Sequence, residues 1–130
     1  LNSVTETCVV NAPRDTVFEF LSDIENLPQW STKFVNKLSK VQGKYIAHTP
    51  IGEVFIRLDV SKTAGLIDIY AGPKEDAMTP AYMRVISLSN NDTAVMFTFF
   101  QYDSTPDALW KIFCQWIKIE VENIRKHFDS

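Results

Sequence analysis

Histidine, cysteine and glycine are all scarce in this sequence: two, two and four in 130 residues. Each scarcity closes off a chemistry. His48 and His127 lie far apart in the chain, and no Cys/His cluster has zinc-like spacing. Without an EF-hand loop either, no metal site is expected. There is no glycine-rich phosphate loop and no G-x-S-x-G motif, and no cofactor is expected. No apolar run approaches the roughly 20 residues that span a bilayer, and no basic amphipathic face for a membrane surface appears. Positive charge is not in surplus: 13 Lys and Arg stand against 16 Asp and Glu. A net charge of −3 argues against nucleic acid as a partner. Nothing demands an oxidising compartment, so the expected location is the cytoplasm. Cys8 falls in an expected strand and Cys114 on an apolar helix stripe. Two buried thiols are expected, a disulfide between them being the alternative. The chain begins at Leu1 rather than Met, which leaves trimming of a few residues or removal of a targeting segment open.

What the sequence does contain is one long amphipathic helix, Thr105 to Phe128, preceded mostly by strands. Ser104, Thr105, Pro106 and Asp107 form a helix start, and Arg125, Lys126 and His127 suit its negative end. Trp110, Phe113, Cys114, Ile117, Val121, Ile124 and Phe128 recur at helical spacing as an apolar stripe. Lys111, Gln115, Lys118, Glu122 and Arg125 form a polar one. Leu109, Ile112, Trp116 and Ile119 make a second apolar ridge. It either packs on the N-terminal helix or forms a self-association face, a homodimer contact centred on Trp116. At roughly 1.5 Å per residue such a helix is about 35 Å long.

The remaining chain reads as a strand from Ser3 to Val10, a helix from Pro13 through Ile24, and a short helix over 26–30 capped by Asn26. Six strands follow, at 34–41, 44–49, 53–61, 66–71, 81–88 and 93–102. In 53–61 the residues Val54, Ile56, Leu58 and Val60 share one face. Short turns between consecutive strands predict an antiparallel meander. Its apolar face needs a cover, and only the C-terminal helix is long enough. The expectation is one α+β domain over residues 1–130: a curved antiparallel sheet of about seven strands wrapped on a long C-terminal helix, with two short helices after the first strand.

The segment from Val9 to Trp30, VVNAPRDTVFEFLSDIENLPQW, resembles the opening of the START-like superfamily called SRPBCC. There a first strand runs through an Ala-Pro turn into a helix and then an n-L-P-x-W short helix. Tyr82-Met83-Arg84-Val85 and Phe97-Thr98-Phe99-Phe100-Gln101 are similar to strands of its small polyketide cyclase/dehydrase-like members. The resemblance implies a helix-grip fold, in which the sheet grips the last helix around a hydrophobic cavity. Members bind lipids, sterols, hormones or polyketides; some are cyclases or dehydratases, and some are chaperone regulators. Fold alone does not choose among these roles.

The expected function is binding of a small hydrophobic molecule of lipid, polyketide or aromatic type in that cavity. A cyclase or dehydratase, or a protein-interaction module, is the alternative. Expected cavity-lining residues are Trp110, Phe113, Ile117 and Val121 from the helix, with Tyr82, Arg84, Phe97 and Phe99 from the sheet. Tyr82 and Arg84 would orient the ligand. Phe99 and Phe100 point to opposite faces, so one of them is expected inside. His48 and Asp68 are weak candidates for acid–base catalysis, each with a surface position as its alternative. The loop from Gly72 to Thr79 is expected to gate access.

Overall fold

A computed structural model of the protein describes residues 2–129. Strand β1 (Ser3–Val10) leads into helix α1 (Arg14–Leu21), a 3-10 turn (Ile24–Asn26) and helix α2 (Leu27–Trp30). Six strands follow: β2 (Lys37–Val41), β3 (Lys44–Thr49), β4 (Gly52–Ser61), β5 (Leu66–Gly72), β6 (Thr79–Ser89) and β7 (Asp92–Phe100). Helix α3 (Asp107–Phe128) closes the chain. The strands form one antiparallel sheet in the order β1-β7-β6-β5-β4-β3-β2. The meander is unbroken from β2 to β7, and β1 joins at the β7 edge.

Local chemistry explains several boundaries. Gln42 and Gly43 both have positive φ, 52° and 80°. That is the two-residue turn whose twist matches a hairpin, and it sets the register of β2 against β3. The expected first helix splits. It ends at Leu21, and the Asp23 side chain then accepts from the Glu25 amide at 3.0 Å to start the 3-10 turn. Asn26 does not cap α2 with its side chain: its Nδ2 donates to the Phe20 carbonyl and its Oδ1 accepts from Gln29. Helix α3 begins at Asp107, with Pro106 itself in the extended capping position. The expected strand 34–41 forms only from Lys37 onward: the Lys33 and Phe34 amides are given to Glu120 of α3, and Asn36 is the first to bond across to β3, at the His48 carbonyl.

The core lies between the concave sheet face and the helices. Val17, Leu21, Trp30, Ile67, Val95, Ile117 and Ile124 are fully buried there. The Trp30 ring meets Phe97 edge-on with centroids 5.6 Å apart, and Asn123 Nδ2 donates to the Trp30 carbonyl at 3.0 Å. The n-L-P-x-W segment is thus the clamp that joins sheet to α3. Cys8 is buried and Cys114 half-buried, both as free thiols. Burial pushes the Cys8 thiol up to about 11. Among the described residues, no helix is long and apolar enough to cross a membrane.

Candidate functional site

Between the sheet and the first half of α3 lies a cavity of about 310 Å³. Leu109, Phe113, Trp116 and Glu120 face it from α3, spaced four, three and four residues apart on a single helix face. Val54 and Ile56 of β4, Ile69 and Ala71 of β5, and Phe97 and Phe99 of β7 form the opposite wall. Phe34 enters from the loop after α2. Its ring centroid lies 6.2 Å from Phe113 and 6.4 Å from Trp116. Phe99 is 4.8 Å from Phe97 and 6.2 Å from Phe113, so aromatic rings run continuously from sheet to helix.

The polar groups of the lining gather at two ends. At the N-terminal end of α3, Tyr102 donates its hydroxyl to the Pro80 carbonyl at 2.7 Å, beside Ser104 and Thr105. Burial first, then neighbouring Tyr82, pushes the Tyr102 phenol up to about 12. At the other end, eleven residues or about 16 Å along the helix from Leu109, sits Glu120. It is 1% exposed. Its Oε2 accepts from the backbone amides of Lys33, at 3.1 Å, and Phe34, at 2.9 Å, with the Ser31 hydroxyl also donating to its carboxyl. Burial outweighs those three stabilising bonds and pushes the carboxyl up to about 7. A carboxylic acid that changes charge near neutrality, inside an apolar cavity, is able to give or take a proton there.

Loop 73–78 closes one side. Gly72 and Pro73 line the cavity together with Thr79. The loop folds back so closely that a Cβ on Gly72 would lie 2.1 Å from the Ala77 carbonyl oxygen. Only glycine permits that approach. Lys44 and Glu75 pair across the loop's exposed side at 2.5 Å.

Three of the eight residues expected to bind ligand, Phe97, Phe99 and Phe113, line this cavity; the other five do not. Tyr82 and Arg84 are exposed on the convex face, while their neighbours Met83 and Val85 point into the core. Ile117 and Val121 are packed core, and Trp110 sits half-buried outside the cavity. Phe100 borders the cavity as well as Phe99, although its ring meets exposed Tyr82 edge-on with centroids 5.9 Å apart. His48 and Asp68 are both away from it. The His48 ring lies between Ser39 Oγ, 2.9 Å from Nε2, and Glu53, 2.8 Å from Nδ1, on the opposite side of β3 from the buried Ala47. Asp68 stands directly across from Asp59, and burial followed by that like charge raises its pKa. The second ridge of α3 divides: Leu109 and Trp116 face the cavity, whereas Ile112 and Ile119 are exposed.

Glu120 is not among the residues that the sequence marks out as candidates. The available signal was its position. It falls four residues after Trp116 and four before Ile124, so a charge sits in the middle of the apolar arc rather than on the polar stripe.

No protein-family model matches the sequence, and no curated protein matches it. Solved structures do. The Zhui aromatase/cyclase from a Streptomyces species superposes with a TM-score of 0.73 at 16% identity, covering 98% of this chain and 93% of its own. The Aha1 dimer from Colwellia psychrerythraea gives a TM-score of 0.71 at 13% identity, covering 99% and 97%. A START superfamily protein from Mycobacterium smegmatis gives 0.66 at 11% identity, covering 98% and 97%. Such identities speak to fold. The chain has the START-like helix-grip fold, and the resemblance carried by Val9 to Trp30 holds at that level.

Proposed function

We propose that the cavity between the sheet and α3 reversibly binds a small, mostly hydrophobic molecule of lipid, polyketide or aromatic type. The observation that carries this reading is the cavity itself: about 310 Å³, walled by aromatic and aliphatic side chains, with polar groups only at its two ends. That volume is at the lower end of ligand pockets, roughly 300–1,000 Å³. It matches the liquid volume of on the order of ten waters, so the ligand has about that many non-hydrogen atoms. Each methylene buried contributes about 0.8 kcal/mol. The test is mass spectrometry of the purified protein, native and after solvent extraction, with titration of an apolar fluorescent probe beside it. A small molecule released on denaturation, or saturable probe binding, is the expected result. A protein that comes out empty and leaves the probe unbound sinks the reading.

A second reading, a cyclase or dehydratase type of enzyme, is favoured by one specific observation, the carboxyl of Glu120 poised near neutrality inside the cavity. One structurally similar protein is the Zhui aromatase/cyclase. Ring closure or loss of water needs a group that moves a proton to or from a held, folded chain, and Glu120 is placed to do so. Incubating a recovered ligand with fresh protein separates the two readings. Product formation that survives Glu120→Gln removes Glu120 as the acid or base.

A further inference from the structure

We propose, resting on the binding reading above, that the ligand carries a basic amine which meets the Glu120 carboxylate while its apolar body lies among the rings of Phe34, Phe99, Phe113 and Trp116. Charge is the first ground. Among the described residues, Glu120 and Tyr102 are the ionisable side chains of the lining, and no Lys, Arg or His contributes to it. A ligand carboxylate would therefore find no countercharge and would face a like one in a poorly solvated space.

The hydrogen bonding of Glu120 is the second ground. The Lys33 and Phe34 amides that meet its Oε2 are neutral donors. They hold the carboxyl in place without cancelling its charge, and among the described residues no basic side chain forms an ion pair with it. A buried carboxylate without a cation gains more from an arriving ammonium than from a hydroxyl, which leaves the charge uncompensated. Its raised pKa records the same uncompensated burial.

The rings are the third ground. Phe113, Trp116 and Glu120 succeed one another on a single face of α3, and Phe34 carries both an amide on the carboxyl and a ring against Phe113 and Trp116. Aromatic faces attract ammonium groups and repel carboxylates. Carboxyl and rings therefore select the same charge at the same end of the cavity, whereas the Tyr102 end supplies only neutral hydroxyls.

The experiment compares three ligands of matched length, n-octylamine, 1-octanol and octanoate, by calorimetry on the intact chain. At about pH 8.5 the carboxyl is ionised while the amine, with a pKa near 10, is still protonated. The wild-type protein is expected to bind the amine about tenfold or more tighter than the alcohol, with octanoate weakest. Glu120→Gln keeps an oxygen for the Lys33 and Phe34 amides. In it the amine should weaken by about tenfold or more while the alcohol stays within about twofold. Octanoate binding the wild type as well as the amine overturns the proposal without need of any variant. So does an amine preference that persists in Glu120→Gln. Failure of all three ligands and of the apolar probe overturns the cavity reading itself, and this inference with it; probe binding without amine preference overturns this inference alone.

Discussion

The two halves of α3 face the same sheet and do opposite things with it. From Ile117 onward the inward-facing side chains are sealed, except that Glu120 borders the cavity. Ile117 and Ile124 have no exposed surface, Asn123 ties the helix to the Trp30 carbonyl, and Phe128 meets Phe20 of α1 edge-on. From Leu109 to Trp116 the inward side chains are half-buried and end at a cavity. Amphipathic pattern is much the same in both halves. The difference comes from the segment Arg14–Trp30, which covers one end of the helix and not the other. One helix thus supplies stability at its C-terminal half and an open site at its N-terminal half, and Glu120 stands at the junction.

The largest effects should separate the halves. Ile124→Ala empties a sealed position and should cost about 2–5 kcal/mol in denaturant unfolding, with little change in probe affinity. Phe113→Ala removes a ring that already borders open space. It should cost about 1–2 kcal/mol, below the usual Phe→Ala range, and weaken apolar-probe binding about tenfold. Equal stability losses in the two variants would break the comparison.

Glu120 sharpens the comparison through pH. Its ordinary value is 4.5 and burial raises it to about 7 in the folded protein. Between those two values the folded state holds a proton that the unfolded state has released. Stability from this group is therefore complete below about pH 4.5 and is lost as pH rises through about 7, by on the order of 3 kcal/mol. Half-buried Glu122, hydrogen-bonded by Arg125, has a lowered pKa, so its slope has the opposite sign and falls at lower pH. The difference between wild type and Glu120→Gln isolates the effect. Urea midpoints for the pair should diverge from pH 5 to pH 7.5, with the variant holding its stability while the wild type declines; parallel profiles would place the Glu120 carboxyl in water.

The sequence carried the architecture well and the site only in part. Strand succession, the turn at Gln42-Gly43 and the apolar face of β4 all follow local rules, and so does the long helix. The site depends on which face of each strand looks inward, and that is set by pairing across the sheet. Phe97 faces in, and Met83 is its partner on β6. Tyr82 pairs with Thr98 and so must face out, as Arg84 does opposite Met96. Within β6 alone, Tyr-Met-Arg-Val offers an apolar body on either face, so parity is not fixed there. Depth is equally hidden. Trp110, Phe113, Ile117 and Val121 share a stripe, but only Phe113 lies where the sheet stands away from the helix.

Loop 73–78 should give an intermediate effect. In Gly72→Ala the new methyl meets backbone, the Ala77 carbonyl and Met78 Cα, so the loop has to move. A loss of about 1–3 kcal/mol is expected, together with faster probe entry and exit in stopped-flow. Unchanged rates would mean that the loop does not control access.

The smallest effect tests whether α3 has only two working surfaces. Ile119 is 41% exposed and flanks the cavity-facing row without lining the cavity. Replacing it with Lys adds charge where water already reaches, so stability should move by no more than about 0.5 kcal/mol and probe affinity should stay the same. Light scattering of wild type and variant completes the test. Equal molar masses leave α3 with a packed half and a cavity half. A lower mass for Ile119→Lys would mean that Ile112 and Ile119 are buried against another copy of the chain, adding an outer third surface on which the other two do not depend.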